Sequence, residues 1–187
     1  HSALYSRGIV LKILAAAVAG ALITGAAFAA HADAPVAKPD PADVCATQAC
    51  RAGGFNVALR VDDKTFRNIP VSHSPYVTSS GAILIFPGET IAVQFTVDGD
   101  KLTAPKFVKA YAPRLPAQVI KDGKLSDLDT SGLSKDDAGA LPPNTLLLSY
   151  GQFKGQPGIV LELEHNMPRT VKVDAIMAVI QDGKYVQ

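Results

Sequence analysis

The sequence contains no tryptophan, few aromatic residues and only two cysteines. Phe and Tyr together make up 6% of the 187 residues. Sugar-binding sandwiches hold their ligands by stacking them on aromatic side chains, so this scarcity disfavours a carbohydrate-binding protein. Two cysteines cannot supply the four ligands of a structural zinc site. Four residues separate them, which differs from the C-x-x-C spacing of thioredoxin-like redox centres.

A strong net charge is also missing. Arg7 and Lys12 are the only charged residues among the first 32, and without them 16 Lys and Arg stand against 17 Asp and Glu. A nearly neutral domain lacks the positive surface that binds phosphate backbones, so we expect no nucleic-acid partner. Apolar residues reach 48% of the chain, which is enough to form a packed core.

Catalytic signatures are absent from the sequence as well. It has no G-x-S-x-G, H-E-x-x-H, P-loop or dinucleotide-binding glycine pattern. Residues 72–74 read Ser-His-Ser, but neighbours along a strand point to opposite faces, which prevents direct proton transfer between them. Glu89, Glu162 and Glu164 are candidate general acids that we expect to be solvated. We therefore expect a protein that is not an enzyme, with a small hydrolase as an alternative.

The N-terminal segment has the order of a secretory signal peptide. Arg7 and Lys12 precede an uncharged apolar run at residues 13–28, and the A-x-A cleavage pattern occurs at 27–29 and at 30–32. This order predicts a periplasmic or secreted location. The alternative is an uncleaved anchor, in which case only this segment would meet the membrane.

The two cysteines, Cys45 and Cys50, are predicted to form a disulfide, since an exported chain meets an oxidising compartment. Residues five apart in an α-helix lie roughly 8–9 Å apart at Cα. A disulfide needs less than about 7 Å. The bridge therefore requires a turn or a broken helix between them, and the chain-entropy argument gives so short a loop roughly 2 kcal/mol of stabilisation.

The chain divides into a signal peptide (residues 1–32), a Pro- and Ala-rich spacer (33–42) and one domain (43–187). In that domain apolar residues alternate with polar ones at 55–61, 90–97 and 159–164, and a further apolar run covers 171–180. Period-two alternation is typical of half-buried strands. The pattern predicts a mostly β fold, an antiparallel β-sandwich of Ig-like or cupredoxin-like architecture. Pro87-Gly88 predicts a hairpin between 82–86 and 90–97.

The polar stretch 121–144 is predicted to be a long loop, and its sequence suggests a calcium site. Asp127, Asp129 and Ser131, followed by Gly132, match the first half of a calcium-binding loop. The second half does not match, because the position of the bidentate Glu is Ala138, so Asp137 would have to serve by a different loop path. The alternative interpretation is a solvated acidic loop, in which Asp and Ser favour turns.

A copper site is a further hypothesis. His165 and Met167 lie two apart, so on an extended segment they would share a face, and imidazole and thioether both bind copper. No Cys follows Cys50, so the ligand set of a blue-copper centre is missing. The alternative is that Met167 packs beneath a turn while His165 is an ordinary surface residue.

These observations together predict an exported, non-catalytic β-sandwich that binds a protein partner or self-associates through its strand edges and the 121–144 loop. The rival functions are a periplasmic metal-binding protein and a small hydrolase. No cofactor is expected, with calcium as the alternative.

Overall fold

A computed structural model describes residues 11–16 and 41–187, apart from 116, 122, 136–137, 182–183 and 187. Strands dominate, joined by one short α-helix and one 3₁₀ helix within these ranges. The elements in chain order are β1 (Leu11–Ala16), α1 (Pro41–Thr47), β2 (Cys50–Arg51), β3 (Phe55–Arg60), β4 (Phe66–Val71), β5 (Ser74–Pro75), β6 (Ile83–Ile85), β7 (Glu89–Asp98), β8 (Lys101–Tyr111), β9 (Gln118–Lys121), β10 (Lys124–Asp127), the 3₁₀ helix (Ala138–Ala140), β11 (Thr145–Gln152), β12 (Ile159–His165), β13 (Val173–Gln181) and β14 (Lys184–Val186).

The strands form three four-stranded sheets and one two-stranded ladder. The central sheet has the order β12-β11-β7-β8, the second β10-β9-β3-β4 and the third β14-β13-β1-β6, while β2 pairs with β5. The first two sheets are antiparallel throughout, whereas the third contains parallel pairs. The predicted mostly β fold of packed antiparallel sheets is therefore confirmed.

The main core lies on one face of the central sheet, and it follows from period-two alternation. Ile91, Val93 and Phe95 are buried in one cluster with alternate residues of β11, and partly buried Ile159 and Leu161 pack against them. Alternation also assigns Leu163 to this buried face, but Leu163 is 40% exposed, so the core ends before the end of β12. Every residue of β11 is buried, because its other face is also covered.

The second sheet is built on a tight hairpin that the Asp62-Asp63 pair predicts. Asp62 Oδ1 accepts hydrogen bonds from the N–H groups of Lys64 and Thr65, both at 2.8 Å. These bonds lower the pKa of the Asp62 carboxyl, with the Lys64 N–H as the largest cause. They also turn the chain so that β3 and β4 pair in register. Val57, Leu59, Ile69, Val71 and Phe86 form the core of this sheet.

The predicted hairpin around Pro87-Gly88 is wrong, because β6 and β7 belong to different sheets. The Glu89 N–H donates to Phe86 O at 3.1 Å, and Gly88 has φ +85°. Proline followed by a glycine of positive φ makes a type II turn, whose twist splays strands instead of pairing them. The turn therefore carries the chain from the third sheet into the central one.

The predicted signal peptide falls largely outside the described residues, which begin with Leu11–Ala16 and resume at 41. Leu11–Ala16 itself forms strand β1. No helix in the described parts of the chain is long and apolar enough to cross a membrane.

Gly53 allows an unusually close backbone contact, and we expect its replacement to destabilise the fold. A Cβ at this position would lie 1.9 Å from the His73 nitrogen and 2.3 Å from the Ser72 carbonyl carbon, neither of which can rotate away. Gly53→Ala should therefore lower the free energy of unfolding by about 3 kcal/mol in urea denaturation. The control is Gly132→Ala, where an added Cβ meets nothing within 4 Å and the change should stay within about 0.5 kcal/mol. Equal stability of the two variants would contradict the close contact.

Candidate functional site

The third sheet contains a strand position that a separate part of the chain fills. β1 lies between β6 and β13 and runs parallel to both. Its register runs from Leu11 opposite Val173 to Ala16 opposite Ala178, and on the other side Ile13, Leu14 and Ala15 pair with β6. Among the described strands, β13 pairs only with β1 and β14. We call the gap between β6 and β13 that β1 fills the strand slot.

The β6 side of the strand slot is buried, whereas the β13 side is packed at its start and exposed further along. Ile83 and Ile85 of β6 are 0% and 1% exposed and belong to the main core, and Val173 of β13 packs against the same cluster. Met177 of β13, by contrast, is 52% exposed. Val173 and Met177 lie on the same face of β13, so this strand leaves the hydrophobic core along its length and the slot lies at the margin of the core.

β6 is held in place from the edge that faces away from the slot. Leu84 N–H donates to Tyr76 O at 2.9 Å, and Leu84 O accepts from Arg51 Nη2 at 2.8 Å. Successive residues of a strand direct their backbone groups to opposite edges. Ile83 and Ile85 therefore direct theirs toward β1, and the slot edge of β6 is fixed by contacts made behind it.

Arg51 is the centre of this support. Its side chain is 2% exposed, and Nε donates to Glu89 Oε1 at 2.7 Å. Nη1 donates to Ser74 Oγ at 2.8 Å and to Pro75 O at 3.1 Å. The guanidinium also lies 4.5 Å and 4.7 Å from the ring centroids of Tyr76 and Phe86. These contacts join β2, β5, β6 and the start of β7 into one unit, which we call the Arg51 cluster.

Glu89, which we expected to be solvated, is instead part of the Arg51 cluster. Its side chain is 18% exposed, and Oε2 accepts the Phe86 N–H at 2.8 Å. Burial raises the pKa of the Glu89 carboxyl, and the Arg51 charge opposes this rise only in part. Burial, together with the Glu89 charge, also raises the pKa of Tyr76. The expectation was wrong because the type II turn points Glu89 inward.

The Ser74 hydroxyl and the His73 imidazole are both in contact with backbone carbonyls. Ser74 Oγ donates to Ser72 O at 3.1 Å and accepts from Arg51, while His73 Nδ1 lies 2.9 Å from Arg51 O. A nucleophilic serine needs a base that takes its proton. The hydrogen bonds of Ser74 and His73 therefore serve the Arg51 cluster.

The predicted disulfide is confirmed. Cys45 and Cys50 are bonded, with their Cα atoms 5.5 Å apart. The α1 helix ends at Thr47, between the two cysteines, and this break is what the spacing required. The bridge joins α1 to β2 directly beside Arg51.

The predicted calcium ligands are only partly described. Asp129 Oδ1 accepts the Ser131 N–H at 3.0 Å, a local turn that lowers the pKa of Asp129. Asp127 ends strand β10, and Asp137 lies outside the described residues. Neither Asp127 nor Asp129 belongs to a described group of three His, Cys, Asp or Glu ligand atoms close to one another. The calcium site stays a prediction.

The predicted copper ligands lie at the end of β12. Met167 is 7% exposed and packs in the main core, whereas His165 is exposed. The Met167 N–H donates to His165 Nδ1 at 3.3 Å. The copper site also stays a prediction.

A surface cleft of about 310 Å³ lies where the first two sheets meet. Gln152 links its walls, since its amide accepts the Arg60 N–H at 2.8 Å and donates to Arg60 O at 2.9 Å. Phe153 on the rim is 48% exposed. The stretch 121–144 contributes Asp127, Leu128 and Thr130 to the lining. Its prediction as one long loop is wrong, because strand β10 pairs with β9 and a 3₁₀ helix forms at Ala138–Ala140.

No protein-family model, characterised protein or solved structure matches this chain. The choice of site therefore depends on geometry, and sequence reasoning had missed both of its parts. Arg51 follows a cysteine without any motif around it, and Leu11–Ala16 has the composition of a signal peptide. The sequence signal that could have identified Arg51 is its position as a single charged residue within a segment of small and apolar residues.

We expect removal of the Arg51 charge to destabilise the domain. Arg51→Met should lower the free energy of unfolding by about 3–5 kcal/mol, because Glu89 would keep a buried charge without its partner. Adding Glu89→Gln should recover part of this loss. The control is Arg169→Met, which removes an exposed pair with Asp100 and should cost less than about 1 kcal/mol in the same urea titration. Equal losses for the two arginines would contradict the cluster.

Glu89 should also give the stability of the domain a defined pH dependence. Its native pKa lies above the ordinary value of 4.5, so between these two pKa values the folded state binds a proton that the unfolded state has released, and above both Glu89 is charged in either state. The Glu89 contribution is therefore complete below 4.5 and is lost as the pH rises through the native pKa. Urea unfolding from pH 4 to 8 should show wild type losing stability relative to Glu89→Gln. A wild type that gains stability relative to Glu89→Gln as the pH rises would mean that the Arg51 attraction outweighs burial.

Proposed function

We propose that this chain is an exported, non-catalytic β-sandwich protein that binds a protein partner by accepting an apolar extended segment into the strand slot. The observation that carries the proposal is the position of Leu11–Ala16 in the sheet. This segment pairs in parallel with β6 on one side and with β13 on the other. The segment that fills the slot belongs to the predicted signal peptide. Removal of that peptide would open the slot to a strand from another chain.

The energetics of the slot favour an occupant. Without β1, the facing backbone groups of Ile83 and Ile85 and one whole edge of β13 would lose their partners. A hydrogen bond is worth about 1 kcal/mol net, and a buried group left unpaired costs about 1–3 kcal/mol. β13 would then pair only with β14, and that hairpin would pair with no other described strand. A strand added from outside restores these bonds, as in other cases of strand addition.

The occupant in place indicates the chemistry of the partner segment. Leu11–Ala16 reads LKILAA, five apolar residues and one lysine. The register sets that lysine, Lys12, beside Asp174 of β13. A partner strand should therefore be six or so residues long, apolar, parallel to β6 and β13, and cationic at its second position.

A binding function is supported further by the lining of the cleft. The described residues that line it include Asp127 as the one carboxylate and no His, Cys or Ser. General acid–base and nucleophilic catalysis draw on those residue types in pairs. The exposed ring of Phe153 and the cations Arg60 and Lys154 suit a second contact with the same protein partner.

The test is strand exchange in the full chain. A specific protease site placed within residues 33–40 lets the N-terminal fragment be cut from the folded protein. We expect a labelled peptide of residues 9–18 to replace the fragment, one peptide per chain, and to raise the melting temperature of the fragment-free domain. These effects follow from restored pairing at β6 and β13, and fluorescence anisotropy and thermal melting measure them.

The control peptide carries proline in place of Ile13 and Ala15, which removes backbone donors while the peptide stays apolar. It should neither bind nor raise the melting temperature. A domain that melts at the same temperature with and without the fragment, and that binds neither peptide, would refute the strand-slot proposal.

A further inference from the structure

Three potential metal ligands meet beside the disulfide. The sulfurs of Cys45 and Cys50 and a ring nitrogen of His73 all lie within 4.8 Å of one another. Within the described part of the chain this is the only such group of three His, Cys, Asp or Glu residues. His73 is exposed and both cysteines are half-buried, so the group is open to solvent on one side.

Three separate features hold His73 at this position. The β2–β5 ladder pairs Cys50 with Pro75 and Arg51 with Ser74. Gly53 lets the backbone at His73 approach more closely than any side chain would permit. The third feature is the 2.9 Å contact between His73 Nδ1 and Arg51 O. These features belong to the sheet and do not depend on the disulfide, so His73 and Cys50 stay together when the bridge is open.

The contact with Arg51 also sets the protonation of the imidazole. A carbonyl oxygen only accepts hydrogen bonds, so Nδ1 must carry the proton and donate it. The neutral ring then has its lone pair on Nε2. Metal-binding histidines characteristically donate their other ring N–H to a backbone carbonyl or carboxylate in this way, which fixes the ring and increases its basicity.

We propose that reduction of the Cys45–Cys50 disulfide creates a three-coordinate Cu(I) site of two thiolates and the His73 imidazole. The reductant is a dithiol: the Cys45–Cys50 bond breaks, two electrons and two protons pass to the cysteines, and the sulfurs of the dithiol become a disulfide. Cu(I) then displaces the two thiol protons as it binds. This site is independent of the strand slot and of the His165–Met167 hypothesis.

The donor set selects the metal. Thiolates are soft ligands that favour Cu(I), whereas structural zinc requires four protein ligands and only three are present in this group. In the oxidised chain the sulfurs are bonded to each other and cannot act as thiolates. Cys45 lies on the seven-residue helix α1, whereas Cys50 lies in a paired strand. The Cys45 side can therefore adjust to the ion while the other two ligands keep their positions.

The experiment titrates the full chain with Cu(I) against a chromophoric Cu(I) chelator, without oxygen, after dithiol reduction and removal of the reductant. We expect the reduced chain to bind one Cu(I) more than the oxidised chain does. His73→Ala should weaken Cu(I) binding at least about tenfold. The matched control is His165→Ala, another exposed imidazole, which should leave the affinity unchanged. Circular dichroism and melting temperature verify that each variant is folded.

Two results would overturn the site. The first is Cu(I) binding by the reduced chain that is no tighter than binding by a Cys45→Ser, Cys50→Ser variant. The second is unchanged affinity in His73→Ala, which would mean that the thiols bind alone. If the double serine variant fails to fold, the comparison of His73→Ala with His165→Ala decides the question. Retention of Zn²⁺ in preference to Cu(I) would also refute the proposed identity of the ion.

Discussion

The buried Arg51 guanidinium donates hydrogen bonds to backbone carbonyls on two neighbouring segments, and the rest of this region depends on those bonds. The guanidinium can be buried because Glu89 neutralises its charge and because two aromatic rings cover its faces. A buried cation is tolerated only under such conditions. The position of β6, the inward direction of Glu89 and the placement of β5 all follow from this single group. The disulfide, one residue away, ties the helix α1 to the same unit.

The strand slot and the ligand group lie on opposite sides of the Arg51 cluster. One Arg51 nitrogen binds Leu84 O behind the slot, and the backbone oxygen of the same residue contacts His73. The two proposed sites therefore share a support without sharing ligands. A change that loosens the cluster would affect both, whereas a change at β1 or at a cysteine would affect only one. The two sites can therefore gain or lose their occupants independently of each other.

The sequence was informative where structure is decided locally. Alternation placed Ile91, Val93 and Phe95 in one dry layer, Asp62 determined a turn through its own backbone neighbours, and the spacing of Cys45 and Cys50 required the helix to break. Sequence reasoning failed where the position of a residue depends on a partner that is distant in the sequence. Nothing near Glu89 reveals that Arg51 lies against it, and Pro-Gly is compatible with both a hairpin and a change of sheet. The apolar run near the N-terminus suits export and a buried strand equally well, because both select apolar residues.

The direction of β1 has a consequence for any assembly built through the slot. Both of its neighbours run the same way, so an incoming segment fits with one polarity only and cannot be received as half of a hairpin. One molecule contributes an extended tail and the other contributes the strand slot as a groove, and these two surfaces differ. The contact itself is therefore heterologous, and two molecules can close into a symmetric pair through it only by exchanging tails reciprocally. Between copies that retain the N-terminal segment, repetition of this contact would give a ring or a directional fibre, and a fibre would have an unfilled groove at one end and an unused tail at the other.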